Sequence, residues 1–301
     1  MTFVCKDHNP EKIFLDMPTG NLCPDCGAMV FEQEKAKVNT PPQSSDITGD
    51  NGLGIIIMDM SLSMNEIAFP NSPGYVITKA GVVASALATS ISKIRNINKA
   101  EWAYVTIIGF TNDAKILGTF KASEINTDTK YWVEWFNKSI IKVQNLCGQG
   151  TNITAALRLA RKLYDDALME CLDNIPGFKP MYQNIRIGTT IYDIANIGVF
   201  IYSDGEHYAD EPLVNHFSDA SLILGQSNIS GVTSAFLGNA ESAGYANMRD
   251  IAGVCPKHNI KAVIHVNQPN AYDYLRDLFH MTSSTSGFCV ECAKADKTIP
   301  I

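Results

Sequence analysis

Between residues 52 and 284, short apolar runs rich in isoleucine and valine alternate with longer segments of helical character. The apolar runs cover residues 53–59, 103–110, 115–120, 197–203, 231–237 and 260–266. Runs without polar alternation are typical of parallel strands that helices cover on both faces. The intervening segments predict helices over 74–97, 130–142, 152–173, 210–225, 241–255 and 270–281. This alternation predicts an α/β fold built on a doubly wound, mostly parallel six-stranded sheet.

The rest of the chain divides where its composition changes. Residues 35–51 are rich in Pro, Ser, Thr, Asp and Asn, which is typical of a linker between residues 1–34 and an α/β domain at 52–284. Residues 285–301 form a carboxyl-terminal tail. The short spacing before residues 115–120 predicts a hairpin, which makes that run an antiparallel edge strand. Residues 174–196 are long for a helix-to-strand connection, so they are interpreted as an insertion that reshapes a rim or packs behind it.

Charge and composition argue against several classes of function. The formal net charge of −7 disfavours nucleic-acid backbone binding as the main activity. No apolar run approaches the roughly 20 residues that a membrane span needs. The first residues lack the basic and apolar segments of a secretory signal. We therefore expect a cytoplasmic protein whose eight cysteines are thiols or metal ligands.

Oxygen-bearing side chains follow the first predicted strand at alternate positions. Asp59, Ser61 and Ser63 point the same way from extended backbone, so they converge as the chain leaves the sheet. One carboxylate and two hydroxyls suit a hard divalent cation such as Mg²⁺, which takes about six oxygen ligands. Thr151, after a glycine-rich turn, and Asp204, at the end of another buried run, are candidates for further ligands. In a doubly wound sheet, ligands bind at the carboxyl ends of the strands.

The motif Asp59-x-Ser61-x-Ser63, followed by Thr151 and by Asp204 in "SDG", resembles the metal-ion-dependent adhesion site (MIDAS) of von Willebrand factor type A (VWA) domains. The resemblance covers about residues 52–284. It implies that the two serines and the threonine bind Mg²⁺, Mn²⁺ or Ca²⁺ directly, while the aspartates act partly through water. It also implies one open coordination position, which a carboxylate of a protein partner fills. The alternative is ordinary turn chemistry, with Thr151 as a helix N-cap and Asp204 in a turn.

Four more polar residues are close to the motif in sequence, and each is either a rim residue of the site or a solvated loop side chain. They are Glu66, Asn112, Glu206 and His207.

The amino-terminal residues contain two pairs of metal-ligating side chains. Cys5-x₂-His8 and Cys23-x₂-Cys26 are separated by fourteen residues, a spacing typical of tetrahedral structural zinc. The segment resembles a zinc-ribbon or zinc-finger-like module in general. A redox role for the second pair is the alternative, although "CPDCG" turns at once instead of opening a helix.

The tail contains a second Cys-x₂-Cys pair, Cys289 and Cys292. This pair either replaces Cys5 and His8 as the partner of the other thiolates or binds a second ion. The remaining cysteines, and a histidine near one of them, are expected to have structural roles: Cys147, Cys171, Cys255 and His258.

Metal-dependent binding of a protein partner is the function that these patterns favour, and the chain is not expected to be an enzyme. The sequence contains no nucleophile elbow, phosphate-binding loop, dinucleotide fingerprint or His-Glu-x-x-His motif. The resemblance implies an adaptor in a bacterial stress-response or signalling complex, with no nucleic-acid or membrane partner. One alternative is a metal-dependent hydrolase or phosphotransfer enzyme that uses the same cation. A scaffold with a vestigial site is another.

Overall fold

A computed structural model of the 301-residue chain describes residues 2–5, 12–14, 31–33, 51–70, 76–95, 100–187, 190–218, 232–254 and 261–266. Contacts divide the chain into two units, Met1–Thr48 and Gly49–Ile301. The first unit contains three short antiparallel strands in the order β2-β1-β3. They are β1 (Thr2–Cys5), β2 (Lys12–Phe14) and β3 (Phe31–Gln33). Cys5 ends β1, and the other predicted zinc ligands lie outside the described residues: His8, Cys23, Cys26, Cys289 and Cys292.

The second unit is built on a six-stranded sheet with the order β11-β10-β9-β4-β5-β6. Its strands are β4 (Gly52–Asp59), β5 (Ala103–Phe110), β6 (Ala114–Lys121), β9 (Ile197–Ser203), β10 (Val232–Phe236) and β11 (Val263–His265). All neighbouring pairs are parallel except β5 with β6, which form an antiparallel hairpin. The predicted fold class and the antiparallel edge strand are therefore confirmed. The winding direction reverses between β4 and β9, which is where doubly wound sheets bind ligands.

Helices cover both faces of the sheet, which explains why β4 is apolar without interruption. The helices are α1 (Lys79–Ile94), α2 (Thr129–Cys147), α3 (Ile153–Leu168) and α4 (Ala243–Ile251). Ile56 and Met58 pack with α1 and α2 on one face. Ile55 and Ile57 pack with α3 and α4 on the other. Each fully buried side chain of this kind contributes about 1.5–3 kcal/mol.

Helix α1 begins five residues later than the predicted start at residue 74. Residues 66–68 pair with residues 77–79 in this region: the Ala68 N–H donates to the Ile77 carbonyl, and the Lys79 N–H donates to the Glu66 carbonyl, both at 2.9 Å. The Thr78 hydroxyl accepts from the Gly81 N–H at 3.0 Å and caps the helix. Residues 77 and 78 are thus paired in a short ladder, so the helix begins only at Lys79.

The helix predicted over 210–225 is wrong within its described part, residues 210–218, which form bends and turns. Side chains satisfy the backbone donors there. The Thr154 hydroxyl accepts from the Val214 N–H at 2.9 Å, and the Asn215 side chain accepts from the Phe217 N–H at 3.0 Å. These local bonds compete with helix formation. The helix predicted over 270–281 lies outside the described residues.

The predicted insertion contains an antiparallel hairpin of β7 (Tyr182–Ile187) and β8 (Thr190–Ala195). Its base attaches to the amino end of β4: the Met181 N–H donates to the Asn51 carbonyl at 2.7 Å, and the Leu53 N–H donates to the Asn196 carbonyl at 2.9 Å. The insertion is therefore anchored at the edge opposite Asp59. In the part of the chain that the structure describes, no helix has the length and apolar character needed to cross a bilayer.

Candidate metal centre

Asp59, the last residue of β4, is fully buried and accepts two hydrogen bonds from neutral groups. The Ser61 N–H donates to its Oδ1 at 2.9 Å, and the Ser203 hydroxyl donates to its Oδ2 at 2.6 Å. The chain then turns through a short 3-10 segment, Leu62–Asn65. In this turn the Ser61 and Ser63 hydroxyl oxygens lie 3.1 Å apart. The two serines therefore lie together, but the predicted extended backbone is wrong, because the 3-10 turn brings them there.

Asp204 follows β9, which pairs directly with β4, so both aspartates lie at the reversal point of the sheet. The next residue, Gly205, has φ +71°, and a Cβ there would collide with the Gly244 carbonyl of α4. A Cβ on Gly244 would in turn collide with the Asp204 carbonyl. The two glycines therefore allow a close backbone contact that fixes the Asp204 loop against the start of α4.

Thr151 is buried in the loop before α3, and this loop makes backbone hydrogen bonds to the loops that follow Asp59 and Asp204. It exchanges backbone bonds with Tyr208: the Tyr208 N–H donates to the Thr151 carbonyl at 2.8 Å, and the Thr151 N–H donates back at 3.4 Å. The Leu62 N–H donates to the Gln149 carbonyl at 3.2 Å. Asn152 caps α3, because its side chain accepts from the Ala155 N–H at 2.9 Å. The turn-chemistry alternative requires Thr151 to be the N-cap of α3, and the structure shows that it is not.

Negative charge is concentrated at this edge, and it changes the acidity of two groups. Burial, together with the charge of Asp204, raises the pKa of Asp59 from 3.8 to about 7, even though the bonds from Ser203 and Ser61 act in the opposite direction. Burial and the charge of Asp204 also raise the pKa of Glu206. Both raised pKa values indicate that additional positive charge at this edge would stabilise the ionised carboxylates.

One positive charge is already present, on a lysine that the sequence analysis did not single out. Lys79 Nζ lies 2.9 Å from Asp204 Oδ2 and 2.8 Å from Glu66 Oε2. Burial acts to lower the pKa of the ammonium, but the hydrogen bonds to Glu66 and Asp204 outweigh it and raise this pKa. Ser203 was also missed. Ser203 is a polar residue at the end of an apolar run, directly before Asp204, and this position is the sequence signal that could have identified it.

The four rim candidates differ in their environment. Glu66 is exposed and pairs with Lys79. The Glu206 N–H is 3.4 Å from Asp204 Oδ1. His207 Nε2 lies 2.8 Å from the Glu211 carbonyl. The Asn112 side chain lies where a Cβ on Gly148 or Gly150 would be, which explains the glycines before Thr151. A polar cleft of about 530 Å³ adjoins this loop, and its lining includes Asn112, Asn152, Tyr208 and Glu211.

Two cysteines of the second unit lie within the described residues, Cys147 and Cys171. Cys147 is the last residue of α2 and packs in the apolar core. Cys171 is exposed, and its thiol lies 3.9 Å from Asp166 Oδ1. Cys255 and His258 are outside the described residues.

The residues at this edge fit a hard divalent cation by their chemistry. Their side chains offer only oxygen: the Asp59 and Asp204 carboxylates and the Ser61, Ser63 and Thr151 hydroxyls. Among the described residues, Asp59 receives its bonds from neutral donors, so a fully buried carboxylate there has no cation of its own. The same part of the chain contains no group of three or more His, Cys, Asp or Glu side chains placed to hold a metal.

Fold and site together define an α/β domain with two carboxylates and three hydroxyls on loops at the reversal point of a doubly wound sheet. No protein family and no curated protein matches the chain by sequence. BatB from Bacteroides thetaiotaomicron is a structural match with 15% identity, covering 77% of this chain and 99% of BatB at a TM-score of 0.42.

Two further structural matches are a VWA domain and a protein with a MIDAS motif. The SpRpn10 VWA domain is 10% identical over 76% of this chain and 95% of that domain, with a TM-score of 0.40. Mussel byssus proximal thread matrix protein 1, with a zinc-occupied MIDAS motif, is 14% identical over 79% of this chain and 49% of that protein, with a TM-score of 0.42. Similarity at this level does not define function, and the fold follows from the strand order and register of this chain itself.

Proposed function

We propose that this chain is a VWA-type interaction module that binds Mg²⁺ or Mn²⁺ at its sheet edge and a carboxylate of a protein partner through that cation. The main support is Asp59, a fully buried carboxylate at the reversal point of the sheet with only neutral hydrogen-bond donors among the described residues. Burying an uncompensated carboxylate is costly, and a bound cation removes that cost. Ser61, Ser63, Thr151 and Asp204 supply the rest of the oxygen set.

In this proposal each residue has a distinct task. The hydroxyls of Ser61, Ser63 and Thr151 would hold the cation directly, and the two aspartates would act partly through water. Ser203 donates to Asp59 and accepts from the Gly205 N–H at 2.9 Å, so it keeps the two aspartate loops in register. The bound cation would supply a strong site for one further hard oxygen ligand, for which a carboxylate is well suited.

The surface around the site favours a protein partner over a polyanion. Leu62 is 53% exposed and Tyr208 is 71% exposed, on the two loops that join through Gln149 and Thr151. Large exposed apolar side chains beside a polar centre are typical of protein contact surfaces. The net charge of −7 disfavours nucleic acid.

The finer parts of the hypothesis rest on sequence alone. They are the zinc module of Cys5, His8, Cys23 and Cys26, and a role as an adaptor in a bacterial stress-response or signalling complex. The alternative function is a hydrolase or phosphotransfer enzyme that uses the same cation. Metal-assisted hydrolysis usually recruits further carboxylates or histidines. At the described edge these would be Glu66, which pairs with Lys79, Glu206, and His207, whose Nε2 lies 2.8 Å from the Glu211 carbonyl.

Calorimetric titration with MgCl₂ tests the metal site on the whole chain. We expect the wild type to bind, Asp59→Ala to lose binding, and Asp173→Ala, at an exposed position, to behave as the wild type. Equal affinities for the wild type and Asp59→Ala would refute the metal site. Turnover of a generic phosphate ester that requires both Mg²⁺ and Asp59 would favour the enzyme instead.

Affinity capture with and without EDTA then tests the partner. We expect a protein retained by the wild type in Mg²⁺ to be released by EDTA and absent from the Asp59→Ala bait. Replacing the partner's acidic residues one at a time should identify one residue whose loss weakens binding. A complex that survives EDTA would refute cation-mediated recognition while leaving the fold unaffected.

A further inference from the structure

Lys79 is a buried ammonium bound to one of the two aspartates of the proposed metal site. Its side chain is 10% exposed, and that of Asp204 is 2% exposed, with 2.9 Å between Nζ and Oδ2. The second partner, Glu66, is 65% exposed. The contact of Lys79 with Asp204 is therefore the better shielded of the two, since water screens the bond to Glu66.

The fold places Lys79 there at some cost. Lys79 is the first residue of α1, where the helix dipole favours anions and opposes a cation. Its backbone is fixed by the bond from its N–H to the Glu66 carbonyl at 2.9 Å. The next residues, Ala80, Val82 and Val83, are buried in the core, so the start of the helix cannot shift freely. The cost of burying the ammonium at this position is offset by its two carboxylate partners, Glu66 and Asp204.

From this geometry we infer that Lys79 is a built-in counter-cation that competes with the divalent metal ion for Asp204 and thereby weakens metal binding. The inference rests on the proposed function, because it assumes that Asp204 belongs to the metal site. Without metal, Lys79 neutralises Asp204 and stabilises the fold. When a divalent cation binds, it either displaces the ammonium from Asp204 or shares the carboxylate with it. Both events reduce the favourable free energy of cation binding.

Two measurable consequences follow from the competition. Removing the ammonium while keeping the length of the side chain, as in Lys79→Met, should tighten Mg²⁺ binding by at least about tenfold, because an ammonium bound to Asp204 repels a divalent ion that uses the same carboxylate even at intermediate dielectric. The same change should destabilise the metal-free protein, because Asp204 loses its cation. We expect its melting temperature to fall by about 5 °C or more, and Mg²⁺ to restore it.

The experiment compares four full-length proteins by MgCl₂ calorimetry and by thermal unfolding with and without Mg²⁺. They are the wild type, Lys79→Met, Lys79→Arg, which keeps the charge, and Lys93→Met, which removes an exposed lysine from the last turn of the same helix. Tighter binding in Lys79→Met, with affinities close to the wild type in the other two, supports the inference. If Lys79→Met is not folded without metal, Lys79→Gln replaces it in both measurements.

The outcomes separate this inference from the proposed function. Equal Mg²⁺ affinity in the wild type and Lys79→Met overturns the competition and leaves the metal site standing. Binding by Lys79→Met alone supports the competition, and it shows that the wild-type lysine excludes the metal, which contradicts the proposed function. Absence of binding in every protein overturns both.

Discussion

Asp59→Asn tests the charge balance of the site most directly. Asparagine is close in shape to aspartate: its Oδ1 can still accept from the Ser61 N–H, and its Nδ2 can donate to the Ser203 hydroxyl oxygen. The change removes the buried negative charge and its repulsion from Asp204. We therefore expect Asp59→Asn to stabilise the metal-free protein while abolishing Mg²⁺ binding.

The magnitude follows from the pKa of Asp59. In the folded protein, burial and the charge of Asp204 raise this pKa from 3.8 to about 7. A shift of about 3 pH units at about 1.36 kcal/mol each corresponds to about 4 kcal/mol. Because the folded state binds the proton more tightly than the unfolded chain, the free energy of unfolding of the wild type falls as pH rises from about 4 to about 7, then levels off. A weakened hydrogen bond offsets about 1 kcal/mol, so we expect the variant to be more stable by about 2–3 kcal/mol above that range.

Urea unfolding in EDTA, followed by circular dichroism at pH 8 and at pH 5, measures this difference. The advantage of the variant should be larger at the higher pH, because only there is Asp59 ionised in the folded wild type. Asp173→Asn, at an exposed position, controls for the loss of an aspartate elsewhere. Addition of Mg²⁺ should then stabilise the wild type but not Asp59→Asn. A variant that is less stable than the wild type at pH 8 in EDTA would refute the reasoning.

Two further predictions concern the loop after β9 and the amino-terminal unit. Gly205→Ala should cost about 2–4 kcal/mol in urea unfolding, because the new Cβ meets the Gly244 carbonyl at positive φ. Gly177→Ala, at φ +76° in open space, should cost only about 1 kcal/mol, and equal costs would contradict the close-contact explanation. The purified chain should carry about one zinc by elemental analysis, and Cys23→Ser with Cys26→Ser should remove it. Zinc retained after the double change would place the metal elsewhere.

The sequence predicted the sheet well because its signals are local. Uninterrupted apolar runs such as residues 53–59 reflect burial on both faces, and that pattern does not depend on distant residues. The hairpin of β5 and β6 was predictable for the same reason, since a short turn between two strands enforces antiparallel pairing.

The errors occurred where distant residues decide the local structure. The predicted helix over 210–225 fails in its described part because the Thr154 hydroxyl, sixty residues away, accepts from the Val214 N–H. Helix α1 starts late because residues 77–79 pair with residues 66–68 across a loop. Neither interaction leaves a periodic signal in the sequence around it, so propensity and pattern cannot reveal it.

The candidate site combines contacts that a local sequence pattern predicts with contacts between distant residues that it does not. Asp59, Ser61 and Ser63 are close in sequence, and a local 3-10 turn brings the two hydroxyls to 3.1 Å. The contact between Lys79 and Asp204 joins residues that are 125 positions apart, and it depends on which helix covers which strand. A lysine at the start of an apolar helix was visible in the sequence, but its partner was not.

Lys79 also changes the argument about the partner. Two aspartates alone would balance a divalent cation and leave little attraction for another anion. With the ammonium 2.9 Å from Asp204, the buried part of a loaded site would instead carry one excess positive charge. Glu66 offsets some of it, but its side chain is 65% exposed and screened by water. The lysine that weakens metal binding would therefore strengthen the attraction of the loaded site for a partner carboxylate. In saturating Mg²⁺, removal of its charge should tighten cation binding and weaken partner binding.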